Sequence, residues 1–169
     1  MANVGTCKHT LSIDSALIVR GRHRCGAAKG SNVTAEMNGP TKLVQDSMPL
    51  CRTLGITATE ATAARVVLQL DWNESLCTTA GLLHGGALMA LADAAGGLSG
   101  FLNLPEGAVG TSTIESKTNF LGAVREGTVV ATTTPLHVGT STIVLETELR
   151  VGAKLVGKTT QTQTVLRPR

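Results

Sequence analysis

The chain has 169 residues, 42% of them hydrophobic and 16% charged, enough for one ordinary domain with a sizeable core and too apolar for a disordered chain. A net charge of +3 is too small to imply a nucleic-acid partner, and with no Tyr, two Phe and one Trp the stacking platform of a single-strand binder is missing. No apolar run reads as long enough for a membrane span; residues 80–104 come nearest, but Asp93, His84 and the glycines argue against it.

The four cysteines, Cys7, Cys25, Cys51 and Cys77, are widely spaced, with no C-x-x-C and no paired histidines. This spacing argues against a structural zinc site and for free thiols in a reducing compartment, hence a cytoplasmic protein.

Residues 1–36 carry Lys8, Arg20, Arg22, Arg24 and Lys29 against Asp14 and Glu36, and show no sustained periodicity. They read as a basic, flexible N-terminal extension, with a transit peptide or a true start at Met37 as the alternatives; the domain proper is residues 37–169. Lys42 to Leu54 predicts a short amphipathic helix, with Pro49 as its weak point. Ala64 to Asp71 has strand character, and Trp72 to Leu82 reads as a loop. An apolar helix is expected from Gly85 to about Leu98. Four Thr/Val-rich strands follow: Gly110–Leu121, Gly127–Leu136, Ser141–Val151 and Lys154–Leu166, the last two joined by a hairpin turn at residues 151–154. One long apolar helix followed by strands predicts an α+β fold, an antiparallel sheet wrapped around the helix.

Within that helix Asp93 is the only formal charge. An unpaired carboxylate among apolar residues costs several kcal/mol, so one retained there points to chemistry. The plain alternative is a structural carboxylate that caps a neighbouring element or pairs with a buried cation.

His84-Gly85-Gly86, followed by an apolar run and an acid nine residues after the histidine, resembles the hotdog-fold acyl-CoA thioesterases of the phenylacetic-acid-degradation (PaaI-like) type. Gly81 and the block Thr111 to Leu121 fit the same pattern, and the resemblance covers roughly residues 41–166. It implies a hotdog fold and hydrolysis of an acyl- or aryl-acyl-CoA thioester to the acid and coenzyme A, without metal or organic cofactor. It further implies that Thr113 positions substrate or water. Where many relatives place Asn or Gln six residues before the histidine, this chain has Thr78, whose shorter hydroxyl fills part of that role. The coenzyme A tail is expected near basic residues, with Lys117, Arg125 and Lys154 as candidates, and the acyl group near Gly86, Leu88 and Leu91.

Thioester hydrolysis needs a donor for the developing oxyanion and a carboxylate that attacks or activates water. The Gly85 N–H, at a helix start, suits the first role, and Asp93 the second. His84 either caps the helix or touches the thioester. Gly85 and Asp93 are eight residues apart, about 12 Å along a helix, too far to serve one carbonyl from one chain. A homodimer, or a tetramer built from dimers, with sites at the subunit interface solves this. Two other functions share the fold: an acyl-thioester hydratase or dehydratase using a His–acid pair, and a non-catalytic acyl-CoA-binding sensor.

Overall fold

The computed structural model describes residues 39–168; the expected extension 1–36 lies outside them. Two short helices, α1 (Pro40–Ser47) and α2 (Pro49–Leu54), come first. Strands β1 (Thr57–Ala61) and β2 (Val66–Asp71) follow, then the long helix α3 (Gly85–Leu102), and then β3 (Gly110–Phe120), β4 (Thr128–Val138), β5 (Thr142–Val151) and β6 (Lys154–Leu166). The strands form one six-stranded antiparallel sheet in the order β1-β2-β4-β5-β6-β3. Helix α3 packs against every strand from β2 to β6, the α+β arrangement expected from the sequence.

The differences from expectation have local causes. The single helix expected over 42–54 is two, because Met48 precedes Pro49 and is held extended (φ −126°, ψ 88°), out of the helical region. Gly55, left-handed at φ +73°, then ends α2. Strand β1 is unanticipated; its sequence TATEA has no apolar alternation. It is held by β2 on one side and α1 on the other, where Thr41 Oγ1 donates to the Ala58 carbonyl (3.0 Å) and accepts the Ala58 N–H (2.9 Å). Helix α3 runs four residues beyond Leu98, since Gly96, Gly97 and Gly100 sit inside it instead of ending it. The hairpin at 151–154 is present, with Val151 paired to Lys154 and Gly152 at φ +55°.

The core consists of Leu88, Leu91, Ala92, Ala95 and Leu98 of α3 against Val66, Leu68, Leu70, Val129, Ala131 and Leu149 of the sheet. Each fully buried Leu or Val contributes roughly 1.5–3 kcal/mol. By length and composition α3 does qualify as a membrane span, correcting the expectation that no run is long enough; in this fold it is the core helix, half buried against the sheet.

Part of the surface facing α3 is polar. Thr133, Thr147, Thr159, Gln161 and Gln163 are all buried there. Their hydroxyls pair across strands, Thr133 with Thr147 (2.7 Å) and Thr118 with Thr159 (2.8 Å), so most of this polarity is satisfied internally.

Candidate active site

The loop before α3 is pinned on several sides. The His84 N–H donates to the Leu76 carbonyl and the Leu83 N–H to the Val124 carbonyl, both at 2.9 Å. Ala80 (φ 61°) and Gly81 (φ 69°) are both left-handed; the conformation is natural for Gly81 and costs Ala80 roughly 1–2 kcal/mol. The Ala80 carbonyl so turned accepts from Arg125 at 3.3 Å. His84 is the N-cap of α3, its Nδ1 accepting the Gly86 N–H at 2.8 Å. Of the two readings of His84, the helix cap is thus the contact present. Among the described residues the Gly85 N–H has no acceptor. A Cβ at Gly85 would lie 3.0 Å from Cζ of Phe120, so a side chain there would press on the ring.

Asp93 departs from the expected apolar burial. It lies on the exposed stripe of α3, with Gly86, Met89 and Phe101, at the three-to-four-residue spacing of one helix face. It is not unpaired: its Oδ1 accepts from Thr113 Oγ1 (3.2 Å) and from Gln161 Nε2 (2.8 Å). Gln161 Nε2 also reaches Thr113 Oγ1 (3.1 Å), which accepts from Gln163 Nε2 as well (2.7 Å). Register explains the convergence. On β3, Thr113 pairs with Gln163 and Ser116 with Gln161, and the bulge at Ile114 brings Thr113 to the α3 side. Thr113, expected to position substrate or water, therefore meets Asp93 itself, and Gln161 and Gln163, which the sequence does not single out, join them. Their signal lies in Gly96 and Gly100, one turn apart on α3. A Cβ at Gly96 would fall 2.2 Å from Gln161 Oε1, and one at Gly100 2.9 Å from Gln163 Cγ.

Asp93 and Thr113 border a cavity of about 250 Å³, walled by Met48, Leu50, Cys51, Leu54 and Ile56 of the α1–α2 region and by Ala90, Ala94 and Gly97 of α3. Burial pushes the Cys51 thiol above its usual range, and the Asp93 charge pushes it further in the same direction.

The other candidates divide. Leu88, expected in the acyl pocket, faces the core instead, as does Leu91, because both lie on the helix side opposite Asp93. Thr78 is exposed in the loop, its N–H bonded to the Leu82 carbonyl (2.7 Å), and its hydroxyl makes no hydrogen bond among the described residues. Arg125 and Lys154 share a second cavity of about 310 Å³ beside the loop. Lys117 does not join them; paired with Thr160, it lies on the strand face opposite Ser116 and Thr118.

The Thioesterase superfamily model matches residues 80–158, a span that takes in α3 and most of the strands behind it. A Bacillus subtilis protein named "Putative esterase ComA2" is 39% identical over 99 residues, covering 56% of this chain and 75% of the relative. The 1,4-dihydroxy-2-naphthoyl-CoA hydrolase of Listeria monocytogenes is 29% identical over 102 residues, 60% of this chain and 82% of that one. Among solved structures, the thioesterase HI1161 of Haemophilus influenzae superposes with a TM-score of 0.68 at 28% identity, over 75% of this chain and 87% of that one. A helix wrapped by an antiparallel sheet, led in by His84-Gly85-Gly86 and matched over these spans, places the chain in the hotdog-fold thioesterase superfamily, as a thioester hydrolase.

Proposed function

We propose that the protein is a PaaI-like acyl-CoA thioesterase whose sites form between two copies of the chain, in the cytoplasm. The observation that carries this is the position of Asp93: on the open face of α3, beside an apolar cavity, with one carboxylate oxygen bonded to Thr113 and Gln161 and the other with no partner among the described residues. The free oxygen attacks the thioester carbonyl or takes a proton from water. The Gly85 N–H, at the positive end of α3, receives the oxyanion. The acyl group enters the cavity below Asp93, and an aryl or medium-chain group suits its apolar wall. Arg125 and Lys154 suit the coenzyme A phosphates, and Lys117 is a more distant cation for the same tail. Thr78, Gly86 and His84 shape the approach to the carbonyl.

The interface reading rests on two further features. Gly85 and Asp93 lie on one helix about 12 Å apart. The free edge strand β3 and the exposed stripe of α3 carry Met89, Phe101, Ile114 and Phe120, apolar surface that a second copy would cover. The hydratase reading loses ground because the side-chain hydrogen bond His84 makes among the described residues is the cap to the Gly86 N–H, and it pairs with no acid there.

A complementation assay tests both parts. Asp93→Asn and Gly85→Pro homodimers should each lose at least about 100-fold in coenzyme A release from an acyl- and aroyl-CoA panel. Coexpressed, they form mixed dimers with one intact site, so about a quarter of wild-type activity returns. Turnover by Asp93→Asn at the wild-type rate refutes the role of Asp93. Two dead variants that stay dead when coexpressed refute the shared site.

A further inference from the structure

We propose that Gln161 is a positioning residue that selects which oxygen of Asp93 reacts, and that Gly96 is glycine in order to hold Gln161 in place. The assignment rests on Asp93 being the reactive carboxylate.

The hydrogen bonds run one way. Gln163 Nε2 donates to Thr113 Oγ1, the Thr113 hydroxyl donates to Asp93 Oδ1, and Gln161 Nε2 donates to both Thr113 and Asp93. With two amides donating to it, Thr113 Oγ1 has no further need of a donor, and its single proton has Asp93 as its acceptor. Both hydrogen bonds that reach Asp93 therefore end on the same carboxylate oxygen. The reverse orientation of the Gln161 amide would set its carbonyl oxygen 2.8 Å from Oδ1, two acceptors face to face, so the chemistry fixes the orientation.

This orientation has a cost. Gln161 is fully buried, and its Oε1 has no hydrogen-bond partner among the described residues. A residue kept for packing alone would be better replaced by an apolar one of the same size, since a buried unpartnered carbonyl opposes folding. The geometry also demands a missing side chain. At Gly96 a Cβ would lie 2.2 Å from that Oε1 and 2.7 Å from Cδ, closer than any real contact. Glycine in mid-helix is itself unfavourable. Two unfavourable choices, on β6 and on α3, thus meet at one contact, and what they jointly secure is the amide on Asp93 Oδ1. Oδ1 is held, and Oδ2 is left to the substrate or water. Such a contact acts on the rate once substrate is bound and leaves the acyl cavity, which Gln161 does not line, unchanged.

The test compares variants of these residues by thiol release, with kcat and KM separated, and with melting temperature recorded. Gln161→Met keeps volume and removes the donor; kcat is expected to fall about 10- to 100-fold, the loss of a hydrogen bond to a charged group, with KM within a few-fold of wild type. Gln163→Met, equally buried and touching Thr113 but not Asp93, is expected to lose less in kcat for a similar fall in melting temperature. Gly96→Ala keeps Gln161 but displaces it, and is expected to lower kcat as Gln161→Met does. That effect should vanish when Gly96→Ala is added to Gln161→Ala, where nothing remains to displace. Equal kcat losses in the two glutamine variants, or a loss carried in KM, overturn the positioning role. A normal kcat for Gln161→Met beside a dead Asp93→Asn overturns it too, and leaves Asp93 standing. A fully active Asp93→Asn removes the premise and the proposal together. If Gln161→Met does not fold, Gly96→Ala and its double variant decide.

Discussion

His84 and Gly86 face each other as acceptor and donor, imidazole Nδ1 to backbone N–H at 2.8 Å, so the helix that presents Asp93 is capped by the histidine of its own motif. A ring nitrogen that accepts cannot carry the proton, which therefore sits on Nε2. His84→Ala should lower unfolding free energy by about 1 kcal/mol, the usual cost of a lost N-cap. His84→Asn, which can still cap, should recover most of it. Urea unfolding at one fixed protein concentration measures both. If the two variants are equally unstable, the cap is not what His84 contributes.

Gly85 is constrained by Phe120 as well as by its proposed role. Gly85→Ala sets a methyl 3.0 Å from the ring edge, and the ring must move. A fall in kcat of about 10-fold or more is expected as the N–H shifts from its proposed oxyanion position. Adding Phe120→Leu relieves the contact and should restore part of the rate. Failure to restore any would mean that steric pressure from Phe120 is not the cause.

The Cys51 thiol is protected by its surroundings, first by burial and then by the Asp93 charge. Both disfavour the thiolate, so at pH 8 the group stays protonated and does not exchange with the substrate thioester. In a C7S/C25S/C77S background, alkylation of native protein by iodoacetamide at pH 8 should be far slower than that of the urea-unfolded chain. The folded-state value is raised, so the associated stability is present below the ordinary thiol value of 9.0 and is lost as pH rises through the raised one. Melting temperature should therefore decline above about pH 9, and less steeply in Cys51→Ala. Rapid alkylation of native protein at pH 7 would contradict this.

The wall contributed by α1 and α2 should set acyl length. Met48 and Leu54 border the cavity, and Met48→Trp reduces its volume while leaving the Asp93 side chain unaltered in identity. kcat/KM for dodecanoyl-CoA should fall at least about 10-fold relative to butanoyl-CoA. A uniform loss across chain lengths would place the acyl group elsewhere.

The sequence made some of this legible and hid the rest for physical reasons. Helix α3 and strands β3 to β6 announce themselves through length, apolar composition and β-branched runs, and His84, Gly85 and Asp93 stand out as polar or flexible residues in an apolar segment. Strand β1 does not, because Thr57–Ala61 has no face of its own and depends on Thr41 and β2 for pairing. Gln161 and Gln163 were invisible because the run KTTQTQT alternates polar with polar, so periodicity cannot tell which face turns inward. Leu88 reads from sequence as a pocket residue because an apolar residue near a motif gives no hint of its helix face. The break at Met48 was only half legible: Pro49 warned of it, but where the chain turns depends on the extended residue before it.

The stripe of α3 that exposes Asp93 also exposes Met89 and Phe101. On the proposed function, reactivity and stickiness are therefore one property of this surface. Charged substitutions chosen to keep an isolated chain in solution, Phe101→Lys for example, fall where substrate and second copy are proposed to meet. A more soluble protein obtained that way is expected to be a poorer catalyst.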